Sequence, residues 1–138
     1  MLKCHPTILV KELVTMSEKS EEFFRKMIDF LPSTDAAYRE SIATYGEVLE
    51  TIIIEDIFMP KILKLLKEEN NIDLIERIFD YFEEVSTCGD AHLINLLSIT
   101  ALEVLGNDRS ILATAQKYMG PATTQLQIEA DRAIGRSV

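Results

Sequence analysis

The chain has 138 residues, 47% of them apolar, so one domain over residues 1–138 is expected to bury about 68–70% of its unfolded surface. Its net charge of −9 argues against nucleic-acid and membrane partners, because both present phosphate groups. Two cysteines outside any C-x-x-C pair, no signal-peptide core and no apolar stretch of about 20 residues predict a soluble, cytoplasmic protein.

Proline, glycine and capping residues divide the chain into segments with helical apolar spacing. The predicted helices are residues 7–16, 19–31, 35–57, 60–69, 72–87, 91–105, 110–119 and 121–134. Because the first two could form one bent helix, seven or eight helices are expected. Connections of two to four residues predict an all-α fold of antiparallel αα-hairpins, either HEAT- or armadillo-like or an irregular helical bundle.

The ends of these segments carry recognisable signals. Proline is tolerated in the first helical turn, where expected starts contain Pro6, Pro60 and Pro121, whereas Pro32 follows an expected end. Glycine favours left-handed C-terminal caps, expected at Gly89, Gly106 and Gly120. Side-chain oxygens that can cap helix starts belong to Thr34 or Asp35, Asn71, Asp90 and Asp108.

Two segments are apolar on more than one side and are expected to be buried. Residues 91–105 leave almost no polar stripe, and residues 36–57 include the run Ile52-Ile53-Ile54. That run could suit a strand, but the helical flanks and the absence of a hairpin turn favour a helix. Gly46 lies within the second segment, where glycine costs about 1 kcal/mol relative to alanine. Close approach of a crossing helix is the expected reason, with a hinge as the alternative.

Catalytic and metal-binding patterns are absent from the sequence. The two histidines, His5 and His92, form no H-E-x-x-H motif, and Asp90 before His92 is expected to be a helix cap. Cys88 falls at a helix C-terminus, which disfavours a thiolate. Acidic pairs such as Glu83 and Glu84 lack a companion histidine. We therefore predict no enzyme activity, no cofactor and no metal.

Protein recognition is the remaining class. Residues 29–108 carry 17 acidic and five basic side chains, which favours a basic partner or, alternatively, is only a solvated surface. The helix over residues 71–87 concentrates carboxylates around a tyrosine on its polar face, typical of a surface where an aromatic ring anchors and charges steer a partner. The predicted protein-binding residues are Asp73, Glu76, Asp80, Tyr81, Glu83 and Glu84.

Five short motifs resemble a known family. They are YGEVL at 45–49, FMPKIL at 58–63, IFDYFEE at 78–84, LEVLGND at 102–108 and KYMGP at 117–121. The chain is similar over these residues to small bacterial all-helical proteins, largely uncharacterised, some of which look like immunity proteins of polymorphic toxin systems. The resemblance implies an acidic helical binder that neutralises a cognate basic toxin.

A second hypothesis is a self-associating helical scaffold or regulatory domain. It rests on the two nearly all-apolar segments, which could leave an exposed apolar patch and so support a homodimer.

Overall fold

Residues 18–136 are described by a computed structural model of the chain, and all regular structure within them is helical. The all-α prediction is confirmed, while the predicted helix 7–16 lies outside the described residues. The seven helices of this region are α1 (Glu18–Phe30), α2 (Asp35–Tyr45), α3 (residues 50–68), α4 (Ile72–Ser86), α5 (residues 91–106), α6 (Arg109–Gln116) and α7 (Pro121–Ala133). A 3₁₀ turn, Pro32–Thr34, connects α1 to α2.

Helices α3 and α5 each contain one π-helical turn. In α3 it is Ile54–Phe58, where the N–H of Met59 donates to the carbonyl of Ile54. The helix therefore runs through Pro60, and the prediction that Pro60 opens a new helix was wrong. A wider turn at this point accommodates a proline, which lacks an N–H for the regular ladder. The π-turn of α5, Ser98–Leu102, contacts that of α3.

Gly46 ends α2 instead of lying inside a long helix. It adopts a left-handed conformation with φ of 75°, and its N–H donates to the carbonyl of Ile42 at 2.8 Å. A Cβ at this position would meet no atom within 4 Å, so no helix crosses there. The predicted helix 35–57 is therefore two helices, and the glycine is required by backbone conformation and not by close packing.

A Gly46→Ala substitution tests this assignment. We expect the free energy of unfolding to fall by about 1 kcal/mol, because a Cβ is disfavoured in the left-handed region. Urea denaturation followed by circular dichroism measures the change, with Ala43→Gly on the exposed face of α2 as a propensity control. An unchanged or raised stability would contradict the left-handed assignment.

Three of the predicted N-terminal caps are confirmed. The side chains of Asn71, Asp90 and Asp108 accept hydrogen bonds from backbone N–H groups in the first turns of α4, α5 and α6. Thr34 does not cap α2, because its hydroxyl donates to the carbonyl of Leu31 at 2.6 Å within the preceding 3₁₀ turn. Gly89 has the left-handed φ, 83°, expected after α4.

The core is built from the apolar faces of α1, α3, α4 and α5. The ring centroids of Phe24 in α1 and Phe58 in α3 are 5.9 Å apart. Phe23 stacks on Tyr81 of α4 at the same centroid distance. Helix α5 packs on α4, α7 and the π-turn of α3, so its predicted central burial is confirmed. Ile99 is the exception on α5, because 41% of its surface is exposed.

A buried polar cluster fixes the last helix to α5. Gln127 donates to the carbonyl of Leu102 at 2.9 Å and to the carboxylate of Asp131 at 3.2 Å. Arg136 donates to the same Asp131 carboxylate at 3.1 Å and to the carbonyl of Glu103 at 3.3 Å. Asp131 is only 3% exposed, so Arg136 supplies the neighbouring charge for a buried carboxylate.

Gly106 lies under this cluster and not at a left-handed cap. It is buried in the last turn of α5, and a Cβ there would come within 2.6 Å of the Asp131 carboxylate. The predicted capping role of Gly106 was therefore wrong. A glycine is required at this position because the polar side chains of α7 and Arg136 pass directly over it.

Candidate functional site

Helix α4 carries the predicted binding residues, and the structure separates them into two groups. Its apolar face, including Ile75, Ile78 and Phe82, is buried in the core. Its opposite face points away from the core and carries most of the predicted carboxylates. The exposed members are Asp73, Glu76, Asp80 and Glu84, whereas Tyr81 is buried and Glu83 is half-buried.

Tyr81 belongs to the core. It is 7% exposed and stacks on Phe23, with its ring also 5.9 Å from that of Phe30. Burial raises the pKa of its hydroxyl well above the ordinary value, and the carboxylates of Glu22 and Glu84 add to the effect. The expectation that Tyr81 stands on the outer face among carboxylates was wrong, because α1 covers that side of α4.

Glu83 reaches across to the start of α7. Its carboxylate accepts hydrogen bonds from the N–H groups of Ala122 and Thr123, both at 2.9 Å, and from the hydroxyl of Thr123 at 2.8 Å. These N–H groups have no acceptor within their own helix, and the positive end of the helix dipole favours a carboxylate there. Glu83 is therefore an interhelical cap, and its first role is to stabilise the fold.

Two opposing effects set the pKa of Glu83. Partial burial alone would raise it, but the hydrogen bonds from Thr123 and Ala122 together outweigh burial and lower the pKa below its ordinary value. Gly120 makes this approach sterically feasible, since a Cβ on it would lie 2.5 Å from the Glu83 carboxyl carbon. Gly120 has a φ of −79°, so the predicted left-handed cap is wrong and the constraint is steric.

Three exposed carboxylates form a row along α4, called the acidic row below: Glu76, Asp80 and Glu84. Residues four apart on a helix lie about 5–6 Å from each other between Cβ atoms, and like charges at this spacing repel. None of the three forms an ion pair or hydrogen bond with a residue in 18–136. Asp73, one turn earlier, differs because it pairs with Arg77 at 3.1 Å.

An aromatic side chain lies at the Glu76 end of the acidic row. It is Tyr118, half-buried, with its ring 6.3 Å from that of Phe79. A 2.6 Å hydrogen bond to Glu69 raises the pKa of Tyr118 to about 12, with burial and the charges of Glu69 and Glu76 adding to it. The sequence pattern on α4 could not identify this ring, because it belongs to the turn that follows α6.

Residues 18–136 give little support for a metal site, a membrane span or a reactive histidine or cysteine. Residues 18–136 contain no group of three side chains placed to ligate a metal ion, and none of their helices is long and apolar enough to cross a bilayer. His92 is exposed and bonds to Glu50 at 2.9 Å, and the Cys88 sulfur accepts the N–H of Asp90 at 3.4 Å. Both have structural partners.

Comparison with known protein families identifies the family of this chain. Residues 24–134 match a family described as a domain of unknown function, DUF7674. No curated protein and no solved structure matches the chain. The matched residues begin inside α1 and continue through the end of α7, so they include the acidic row, the Glu83 cap, Gln127 and Asp131, whereas Arg136 lies beyond them. The chain belongs to the DUF7674 family.

Proposed function

We propose that this protein is a non-catalytic, cytoplasmic protein-binding module that uses the acidic row to dock a basic protein. The observation that carries the proposal is the row itself: three like charges at four-residue spacing, exposed and without a cationic partner in residues 18–136. Their mutual repulsion costs stability, and a basic partner relieves it. The buried face of α4 holds the row rigid, which reduces the entropy lost on binding.

The identity proposed for the partner is a cognate toxin, with this chain as its immunity protein. The resemblance of the five short motifs and the acidic surface support this role. A stack of antiparallel helix pairs is the proposed arrangement. It is supported by the contacts of α4 with both α3 and α5, and by the bond between Glu50 and His92 near the starts of α3 and α5, because two successive antiparallel connections leave the first and third helices parallel. Such stacks present one helix face of each repeat to a partner.

Neutralising the acidic row tests the docking surface. The variant Glu76→Gln/Asp80→Asn/Glu84→Gln should bind the basic protein encoded next to this gene at least about tenfold more weakly, because the steering charges and their contacts are lost. Tagged protein is co-expressed with the neighbouring gene, and affinity is measured by titration at several salt concentrations. The wild-type complex should weaken as salt rises.

A charge-matched control distinguishes the loss of the acidic row from a general change in net charge. The variant Glu40→Gln/Glu47→Gln/Asp56→Asn removes three exposed carboxylates that lie outside α4, and it should bind within about twofold of wild type. The row variant should also remain folded and gain about 0.2–0.5 kcal/mol for each repulsive pair removed. Equal loss of binding in both variants, or no basic protein retained by wild type, would count against the proposal.

The self-associating scaffold is the second candidate, and exposed isoleucines favour it. Ile52 on α3 and Ile99 on α5 are 40% and 41% exposed, on two helices whose π-turns contact each other. Light scattering over a range of concentrations tests this candidate. A monomer at every concentration would eliminate it, and a dimer disrupted by Ile52→Glu would establish it.

A further inference from the structure

A groove of about 360 Å³ lies between the end of α1, the Pro32–Thr34 turn, α3 and the start of α4. Its apolar lining is contributed by these four elements, which the chain brings together only on folding. The apolar lining residues are Phe30, Leu31, Pro32, Leu65 and Leu74. The exposed polar residues around it are Ser33, Lys61, Lys64 and Glu68. We call this feature the lysine groove.

The two lysines are unusual in an acidic region. Residues 29–108 contain five basic residues, and two of them, Arg39 and Arg77, form ion pairs four residues apart on their own helices. The charge of Lys67 acts on Asp108. Lys61 and Lys64 form no ion pair or hydrogen bond with residues 18–136, and both line the groove.

Lys26, which does not itself line the groove, places its ammonium group over the ring of Phe30 and, at 5.4 Å, over that of Tyr81. Lys26 Nζ is 5.2 Å from the centroid of the Phe30 ring, within the range of a cation–π contact. Glu68 is the single carboxylate of the lining, and it accepts a long hydrogen bond of 3.5 Å from Asn70. The groove therefore combines an apolar floor with locally positive charge on a molecule whose net charge is −9.

The volume of the groove and the spacing of its lysines determine which kind of partner it can bind. The volume lies at the lower end of the range for ligand sites, about 300–1,000 Å³, and suits one or two large apolar side chains. Lysines three apart on a helix are about 5–6 Å from each other between Cβ atoms, a spacing that neighbouring carboxylates can match. An anionic bilayer is disfavoured because the whole molecule is strongly negative.

We propose that the lysine groove binds an acidic–apolar peptide segment of a protein partner, with an apolar side chain on Leu31 and Leu65 and carboxylates on Lys61 and Lys64. This surface differs in place and in charge from the acidic row, so the inference does not depend on the proposed function.

Selection from a displayed library of random twelve-residue peptides tests the proposal with the full chain as target. Wild type should enrich peptides that carry a large apolar residue within two positions of aspartate or glutamate. An enriched peptide should bind at least about tenfold more weakly to Lys61→Glu/Lys64→Glu, measured by fluorescence anisotropy. Ser33→Trp should also weaken binding, because it fills the groove without changing charge. Lys67→Glu, on the same helix but outside the groove, is the control and should bind within about twofold.

Four outcomes of the peptide experiments would overturn the proposal. They are no enriched motif, a motif without acidic residues, equal binding to the Lys61→Glu/Lys64→Glu and Lys67→Glu variants, and binding of decanoate in place of peptide. A concentration-dependent dimer that Lys61→Glu/Lys64→Glu dissociates would assign the groove to a second copy of the chain and likewise overturn it. Failure here leaves the acidic row untouched, because the row variants keep both lysines.

Discussion

Replacing Glu83 by alanine is expected to lower the free energy of unfolding by about 2–3 kcal/mol, because the N–H groups of Ala122 and Thr123 lose their acceptor at the start of α7. Urea denaturation measures the loss. Glu84→Ala, which removes the exposed carboxylate next in the sequence, should change stability by no more than about 0.5 kcal/mol. Equal effects of the two substitutions would contradict the capping role.

A double-mutant cycle with Gly120 identifies the mechanism of this loss. Gly120→Ala alone should destabilise the protein, because the new Cβ displaces the Glu83 carboxylate. In the Glu83→Ala background the same change should cost much less, which gives a coupling energy of about 1 kcal/mol or more. Additive effects would show that the carboxylate and the glycine act independently.

The Glu83 cap also predicts a pH dependence. Its pKa in the folded protein lies below the unfolded value of about 4.3, so the ionised carboxylate contributes stability above about pH 4.3. That contribution disappears as the pH falls through the folded pKa. The stability difference between wild type and Glu83→Gln should therefore be largest near neutral pH and shrink below about pH 4. A constant difference from pH 7 to pH 3 would show that charge is irrelevant to the cap.

The second large effect is expected at the buried cluster of α7. Arg136→Ala should destabilise the protein by about 3–5 kcal/mol, because it leaves the Asp131 carboxylate buried without its ion-pair partner. Thermal and urea unfolding measure the loss. Arg132→Ala, next to Asp131 on α7 and with an exposed side chain, is the control and should change stability by no more than about 0.5 kcal/mol.

Neutralising the Asp131 carboxylate should restore much of the lost stability. The double variant Arg136→Ala/Asp131→Asn replaces the carboxylate with a neutral amide that can still bond to Gln127, so it should be more stable than Arg136→Ala alone. If the amide makes the loss larger, the cost does not come from an unpaired buried charge. Such a result would assign the role of Arg136 to its contacts with Glu103 and Asn107.

Much of the fold followed from local rules, because those features depend on residues close together in sequence. Helical spacing placed the apolar face of α4, and Asn71, Asp90 and Asp108 cap helices whose N–H groups lie two or three residues away. The predicted end of α1 before Pro32 is likewise confirmed. The break at Gly46 was missed because apolar spacing continues across it, although a glycine inside a helical pattern was the available signal.

The candidate site shows where local rules fail. A helical wheel of α4 places Tyr81 at the margin of its polar face, and only the packing of α1 decides that this margin is buried. Glu83 was indistinguishable from Glu84 by type and position, yet α7 supplies hydrogen-bond donors to one and not to the other. Tyr118 reaches the acidic row from the turn that follows α6, more than 30 residues away in the chain.

The sequence by itself determined the helical class, the acidic character and the amphipathic face of α4, because these depend on composition and on periodicity along one segment. Tertiary structure decided which polar residues remain at the surface. It made Glu83 a cap and Tyr81 a core residue, and it left Glu76, Asp80 and Glu84 as a row without a cationic partner among residues 18–136. It also brought Lys61 and Lys64 over an apolar floor drawn from separate helices. A side chain's role at a surface depends on what lies opposite it, which no single segment specifies.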